Sequence, residues 1–227
     1  MTPPRAGHAL VLADGSAPDG PTLDRVWPGW SDGIDWVVAA DGGARHASGL
    51  GRPIDLWVGD GDSLGEDGIA ALAAAGVPIR RSPVDKDESD TELALLAALV
   101  AGARRITIAG ALGGARADHG LANVWLLDHP RLAGCDVRLL DANARIRLVG
   151  PGRADIGGRV GDLVSLLPFG GDATGVATEG LRYALRNETL GSGPSRGLSN
   201  VRLASDAALT VGSGRILVVE TPATLSE

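Results

Sequence analysis

Two aspartates one residue apart, Asp60 and Asp62, follow the apolar run Leu56-Trp57-Val58 in the stretch DLWVGDGDSLGEDG (55–68). Carboxylates so spaced and flanked by glycine can do one of two things. They can close an Asx turn into a following helix, or they can hold a divalent cation. A calcium loop of the EF-hand kind needs oxygen ligands at positions 1, 3 and 5 and an acid at 12. Counted from Asp60, the last two of those positions are Leu64 and Ala71, which excludes it. A bare pair of carboxylates suits Mg²⁺, which takes one or two of them together with water and substrate phosphates.

Further acids fall at comparable places. Asp41 ends an apolar run in AADGGA, and Asp87 and Asp90 sit in DKDESDTE. Ser89 and Glu92 make an S-x-x-E capping box, so a helix starts near residue 90, and the helix dipole accounts for Asp90 in its first turn. Neither explains Lys86, the single lysine among 21 basic residues. A lone lysine beside a helix N-terminus and several acids suits a phosphate-binding point charge. In GALGGARADHGLAN (110–123) a glycine-rich turn precedes a helix, a place where backbone N–H groups approach phosphate. There Arg116 could clamp an anionic oxygen, Asp118 is the natural N-cap, and His119 is either a general base or first-turn surface.

Other chemistries are excluded. No Gly-Lys-Ser/Thr sequence exists, so there is no P-loop, and G-x-G-x-x-G does not occur. The net charge of −7 argues against a nucleic-acid partner. Cys135 is alone, which rules out an intramolecular disulfide and a cysteine zinc cluster, and reads as a small buried hydrophobe. His8, His46 and His129 lack metal-ligand spacing and read as structural or surface. The chain opens on no leader pattern and holds no apolar run of about 18 residues, so no membrane partner is expected and a cytoplasmic protein is.

The elements that must position these residues are legible in outline. HALVLAD (8–14), DWVVAAD (35–41), DLWVGD (55–60), RRITIAG (104–110) and CDVRLLDA (135–142) are short apolar runs, as strands buried on both faces of a parallel sheet are. Helical patterns alternate with them at 66–76, 90–103 and 118–129, with Gly76 and Gly102 as terminators. In the last of these helices, the apolar residues Leu121, Val124 and Trp125 are expected to face the core. The alternation predicts an open α/β sheet, with the acids at strand ends where such sheets bind ligands. Residues 15–33 read as a loop with a helical turn, whose Trp27 and Trp30 are candidates for closing the site; Trp57 reads as core. Beyond about residue 145 short alternating segments punctuated by Gly, Pro and Ser predict an antiparallel sandwich or barrel. The expected domains are 1–143 and 144–227.

Taken in order, ADGGA (40–44), DLWVGDGDS (55–63), DKDESDTELAL (85–95) and GALGGARADHGLAN (110–123) resemble the thiamine pyrophosphokinase family. So do VSLLPF, TEGLRYALRNETL, SRGLSN and GRILVV in the second half. The resemblance implies a Rossmann-like open parallel sheet flanked by helices, a C-terminal antiparallel β-sandwich, and a homodimer. It also implies transfer of the pyrophosphoryl group of ATP to the thiamine hydroxyl, giving thiamine diphosphate and AMP. Asp60, Asp62 and Asp90 would then hold Mg²⁺, and Lys86 and Arg116 would neutralise phosphate oxygens. Asp41 and Asp118 would line the cleft, with Gly42, Gly43, Asp87, Ser89, Gly113 and Gly114 against the nucleotide. Ser199 and Asn200 would approach the thiamine. Two places depart from the family pattern: Gly61 stands where a bulky residue is usual, and Ala115 is an extra residue before Arg116. The alternatives are a pyrophosphokinase for another hydroxymethyl heterocycle such as a pterin, or a nucleotide-binding module without catalysis.

Overall fold

The structure is a computed structural model and describes residues 6–223. The chain separates into two compact units, dividing after Ala142.

The first unit carries six strands: β1 (His8–Leu12), β2 (Ile34–Ala40), β3 (Leu56–Gly59), β4 (Ile79–Arg81), β5 (Arg105–Ala109) and β6 (Asp136–Leu140). They pair in the order β6-β5-β1-β2-β3-β4, every pair parallel. Its helices are α1 (Gly20–Val26), α2 (His46–Gly49), α3 (Glu66–Ala74), α4 (Asp90–Val100) and α5 (Ala117–Leu126). Because successive strand residues face opposite sides, Leu10, Leu12, Val37, Ala39 and Trp57 build one core with Leu23, Ala47 and Ile69. Val11, Val38, Val58 and Ile108, on the alternate register, are buried as well. Both faces are therefore covered, and each fully buried leucine contributes about 2 kcal/mol. Gly76 and Gly102, at φ +81° and +96°, end α3 and α4, their N–H groups reaching back to the Ala73 and Leu99 carbonyls.

Four features differ from the sequence reading. β4 was not expected: it is a three-residue edge strand, too short to show a pattern. Trp27 does not close a site. It lies in the core at 5% exposure, and its indole N–H donates to the Asp141 carbonyl at 2.7 Å. Leu121 and Trp125 on α5 do not face the core but are 59% and 60% exposed. Cys135 is half-buried rather than buried.

His8 is buried in β1, with Nδ1 donating to the Asp32 carbonyl at 3.0 Å and Nε2 facing the Thr107 hydroxyl at 2.9 Å. Burial holds its pKa below the ordinary value, with the Asp32 carbonyl opposing and Arg105 reinforcing. Below pH about 6.5 the unfolded chain therefore binds more protons than the folded one. The stability His8 supplies is complete above that pH and is lost as the pH falls toward its lower folded value. Thermal melts should decline between pH about 6.5 and 5 in the wild type and less steeply in His8→Gln. Parallel declines would remove His8 as the cause.

The second unit is built of β7 (Arg145–Val149), β8 (Gly152–Asp155), β9 (Leu163–Pro168), β10 (Ala173–Glu179), β11 (Glu188–Leu190), β12 (Asn200–Val201), β13 (Ala208–Val211) and β14 (Ile216–Thr221). They form two antiparallel layers, β12-β9-β14-β7 and β11-β10-β13-β8. Val164, Leu166, Ile216 and Val218 from one layer pack with Val176, Leu209 and Val211 from the other, as in a β-sandwich. Among the described residues no helix is long and apolar enough to cross a membrane.

Candidate active site

The parallel order puts the carboxyl ends of β1 to β5 on one edge of the sheet, and the acids leave from that edge. Asp41 follows β2 directly, at φ +41° and only 3% exposed, a strained conformation for a residue with a Cβ. Three contacts hold it there. Its carbonyl accepts the Trp57 indole N–H at 3.0 Å, and its carboxylate accepts the backbone N–H of Ser63 at 3.1 Å and of Leu64 at 3.0 Å. Asp41 is thus the anchor of the loop after β3, which carries Asp60 and Asp62.

Asp41, Asp60 and Asp62 each offer a carboxylate oxygen within 4.8 Å of the other two. Crowding of like charge has a visible result. The Asp62 pKa is raised, first by its hydrogen bond with Asp41, then by burial and the charges of Asp60 and Asp41. Asp60 goes the other way, held below the ordinary carboxylate value chiefly by the Lys86 ammonium. Three hard oxygen donors that repel one another fit a divalent cation such as Mg²⁺. Gly61 between them sits at φ +92°, a left-handed conformation that favours glycine, and a Cβ there would stand 2.6 Å from the Ile69 Cδ1 methyl.

Lys86 joins this loop to α4. Its ammonium donates to Asp60 at 2.7 Å and lies 3.1 Å from Asp90, with all three side chains largely enclosed. Burial opposes its charge, and the two carboxylates together outweigh burial, leaving the Lys86 pKa raised. Asp90, grouped by the sequence with Asp60 and Asp62, is in the structure bonded to Lys86 and, at 3.4 Å, to the Ser82 hydroxyl. Burial raises its pKa and Lys86 offsets part of that. Ser89 caps α4 through the Glu92 N–H at 3.1 Å. The reciprocal half of the capping box is replaced, since the Glu92 carboxylate lies 3.5 Å from His129 Nε2. Asp87 is exposed.

Glycines allow the strand ends to approach one another. A Cβ on Gly42 would overlap the Asp14 carboxylate at 2.2 Å, and one on Gly43 the Leu12 carbonyl at 2.1 Å. In the turn after β5, Gly113 and Gly114, at φ +71° and +83°, pack on Ser16 and Gly15. Asp118 is not the N-cap of α5. That position is Arg116, without a side-chain cap, and Asp118 in the first turn instead accepts two hydrogen bonds from Arg116, at 2.9 and 2.6 Å. The Arg116 guanidinium holds the Asp118 carboxyl well below the ordinary range. The pair is exposed, so Arg116 can exchange this partner for another anion at little cost.

In the second unit Ser199 adopts φ +55° and its N–H donates to the Ser165 hydroxyl at 3.1 Å. Asn200 is 7% exposed, and its amide is spent on the backbone of Tyr183: Oδ1 accepts that N–H at 2.9 Å and Nδ2 donates to that carbonyl at 2.8 Å. Tyr183 itself is 66% exposed. Sequence reasoning missed it; a tyrosine in TEGLRYALRNETL carries no local mark of being pinned from residue 200.

Carboxylates, an enclosed lysine and an exchangeable arginine at the carboxyl edge of a parallel sheet define an α/β protein of the phosphoryl-transfer class. The family model described as thiamin pyrophosphokinase, catalytic domain, matches residues 30–139, and that described as thiamin pyrophosphokinase, vitamin B1 binding domain, matches residues 155–216. The chain belongs to the thiamin pyrophosphokinase family. It is 29% identical over 168 residues to the thiamine pyrophosphokinase of Bacillus subtilis, covering 74% of this chain and 78% of that one. The crystal structure of thiamine pyrophosphokinase from Bacillus subtilis superposes with a TM-score of 0.80 at 25% identity, over 95% of this chain and 99% of that one. A thiamin pyrophosphokinase family protein from Enterococcus faecalis gives 0.77 at 28% identity, over 95% and 98%.

Proposed function

We propose that this chain is a thiamine pyrophosphokinase that transfers the β,γ-pyrophosphoryl group of ATP to the hydroxyl of thiamine, releasing AMP. The observation that carries the reading is the acid trio with Lys86 at the sheet edge, in a chain whose two halves each match the family. The first unit is the nucleotide-handling catalytic domain and the second the thiamine-binding domain.

Asp41, Asp60 and Asp62 would hold Mg²⁺, with Asp90 close by through Lys86. When bound, the ion supplies positive charge against the oxygens of the triphosphate. Every other part of the work falls to the chain's own groups. Asp41 fixes the loop that presents Asp60 and Asp62. Lys86, kept charged by two carboxylates, offers a point charge to a phosphate oxygen, and Arg116 leaves Asp118 to take another. Gly42, Gly43, Gly113 and Gly114 keep the cleft open to the nucleotide, and Asp87 and Ser89 border it at the start of α4. A loose transition state needs positioning and charge stabilisation more than a strong base; Asp118, once released, is the carboxylate available to accept the thiamine hydroxyl proton. Ser199 and Asn200 shape the acceptor side, the latter by fixing the backbone under the exposed Tyr183. The protein works as a homodimer in the cytoplasm, where ATP is the donor.

Incubation with ATP, Mg²⁺ and either thiamine or a 6-hydroxymethylpterin, with AMP as the readout, tests the reading. AMP formed with thiamine and lost on adding EDTA is the expected result. AMP formed only with the pterin would move the assignment to the other acceptor, and none with either would leave a binding module.

A further inference from the structure

Arg45 stands four residues beyond Asp41, at the end of the 3₁₀ turn Asp41–Arg45 that follows β2. Its guanidinium faces two ways. Nη1 donates to the Asp14 carboxylate at 3.2 Å, just beyond the end of β1, and Nη2 donates to the carbonyl of Ser63 in the loop after β3. The next residue reaches the same way, His46 Nε2 meeting the Gly15 carbonyl at 2.8 Å. Gly42 lets the Asp14 carboxylate lie against the turn. The acidic loop is consequently held at Ser63 from both sides: its N–H by Asp41 and its carbonyl by Arg45.

We propose that Arg45 is a positioning residue for the acid trio, stapling the ends of β1 and β3 across β2 so that Asp60 and Asp62 face Asp41 in the arrangement that binds a divalent cation. The proposal rests on the reading of the trio as a cation site. Arg45 and Asp14 are 53% and 39% exposed at their side chains, so the staple lies on the rim of the cleft and its removal leaves the core intact.

The sign of the effect separates positioning from plain electrostatics. An arginine near a cation site repels the cation, so deleting the charge alone would tighten binding. Losing a group that orients the ligands weakens it, commonly by tenfold or more. Mn²⁺ alone, titrated into the full-length protein without substrates and followed by the electron paramagnetic resonance signal of free Mn²⁺, reads this directly. Arg45→Met is expected to weaken Mn²⁺ binding by about tenfold. Asp14→Asn, which leaves the guanidinium on Ser63 but takes away its charged partner, should weaken it less and in the same direction. Arg45→Lys, whose ammonium lacks the fork that spans both acceptors, should fall between wild type and Arg45→Met. Unchanged or tighter binding in Arg45→Met overturns the proposal, as does a lowered melting temperature with Mn²⁺ affinity intact. If the wild-type chain itself takes up no Mn²⁺, the cation reading fails and this proposal with it, an outcome distinct from equal binding by wild type and variant.

Discussion

Asp62→Asn is expected to lower turnover by about 10³-fold while leaving the protein as stable as the wild type or slightly more so. The two halves of that result have one cause. Asp62 bears the crowding of like charge, its pKa raised by Asp41, by burial and by the charge of Asp60. An asparagine of the same size keeps the loop and removes one of three charges that repel each other, so the fold gains what the site loses. Turnover with saturating ATP, thiamine and Mg²⁺, together with a urea melt, checks both halves. Near-normal turnover at saturating Mg²⁺ would sink the assignment of Asp62 to the cation.

Lys86→Met should fail in the opposite pattern, losing activity and stability together. The lysine lies between Asp60 and Asp90 with 12% of its side chain exposed, against 8% and 21% for its partners. Breaking such an enclosed pair leaves two carboxylates with no counter-charge, a cost of about 3 kcal/mol. The variant is also expected to turn over about 10²-fold more slowly, since a point charge on the phosphates is gone. A urea midpoint equal to that of the wild type would mean that Asp60 and Asp90 find another partner. An unaltered KM for ATP with unaltered kcat would remove Lys86 from the phosphate site. Compared side by side, the two variants distinguish a residue that the site needs and the fold resists from one that both require.

What could be read beforehand follows the range of the interactions. The five longer parallel strands, the Ser89 cap and the glycine stops at Gly76 and Gly102 are set by neighbours in sequence, and their residues announce them. Asp41 was visible as an acid at a strand end. Its work as anchor of the loop at 60–64 was not, because that depends on a left-handed backbone and on N–H groups more than twenty residues away. Arg45 was silent for the same reason, since both its acceptors lie in the loops that follow other strands. On α5, helical spacing correctly groups Leu121 with Trp125 on one face. Spacing says which residues share a face and nothing about what covers it, and here that face is exposed. Trp27 misled in the opposite direction: an unpatterned, proline- and glycine-rich neighbourhood suggested surface, yet Trp27 packs in the core and its indole found the Asp141 carbonyl.

The glycine between the two acids carries a lesson for anyone comparing or recombining members of this family. Position 61 and position 69 share one small volume, with the isoleucine methyl of α3 occupying the space where a side chain on the loop would begin. A bulky residue placed at position 61 therefore obliges the end of the Ile69 side chain to move and is strained by the left-handed backbone. A new rotamer at Ile69 relieves the first of these costs, and the left-handed backbone at 61 is the one that stays.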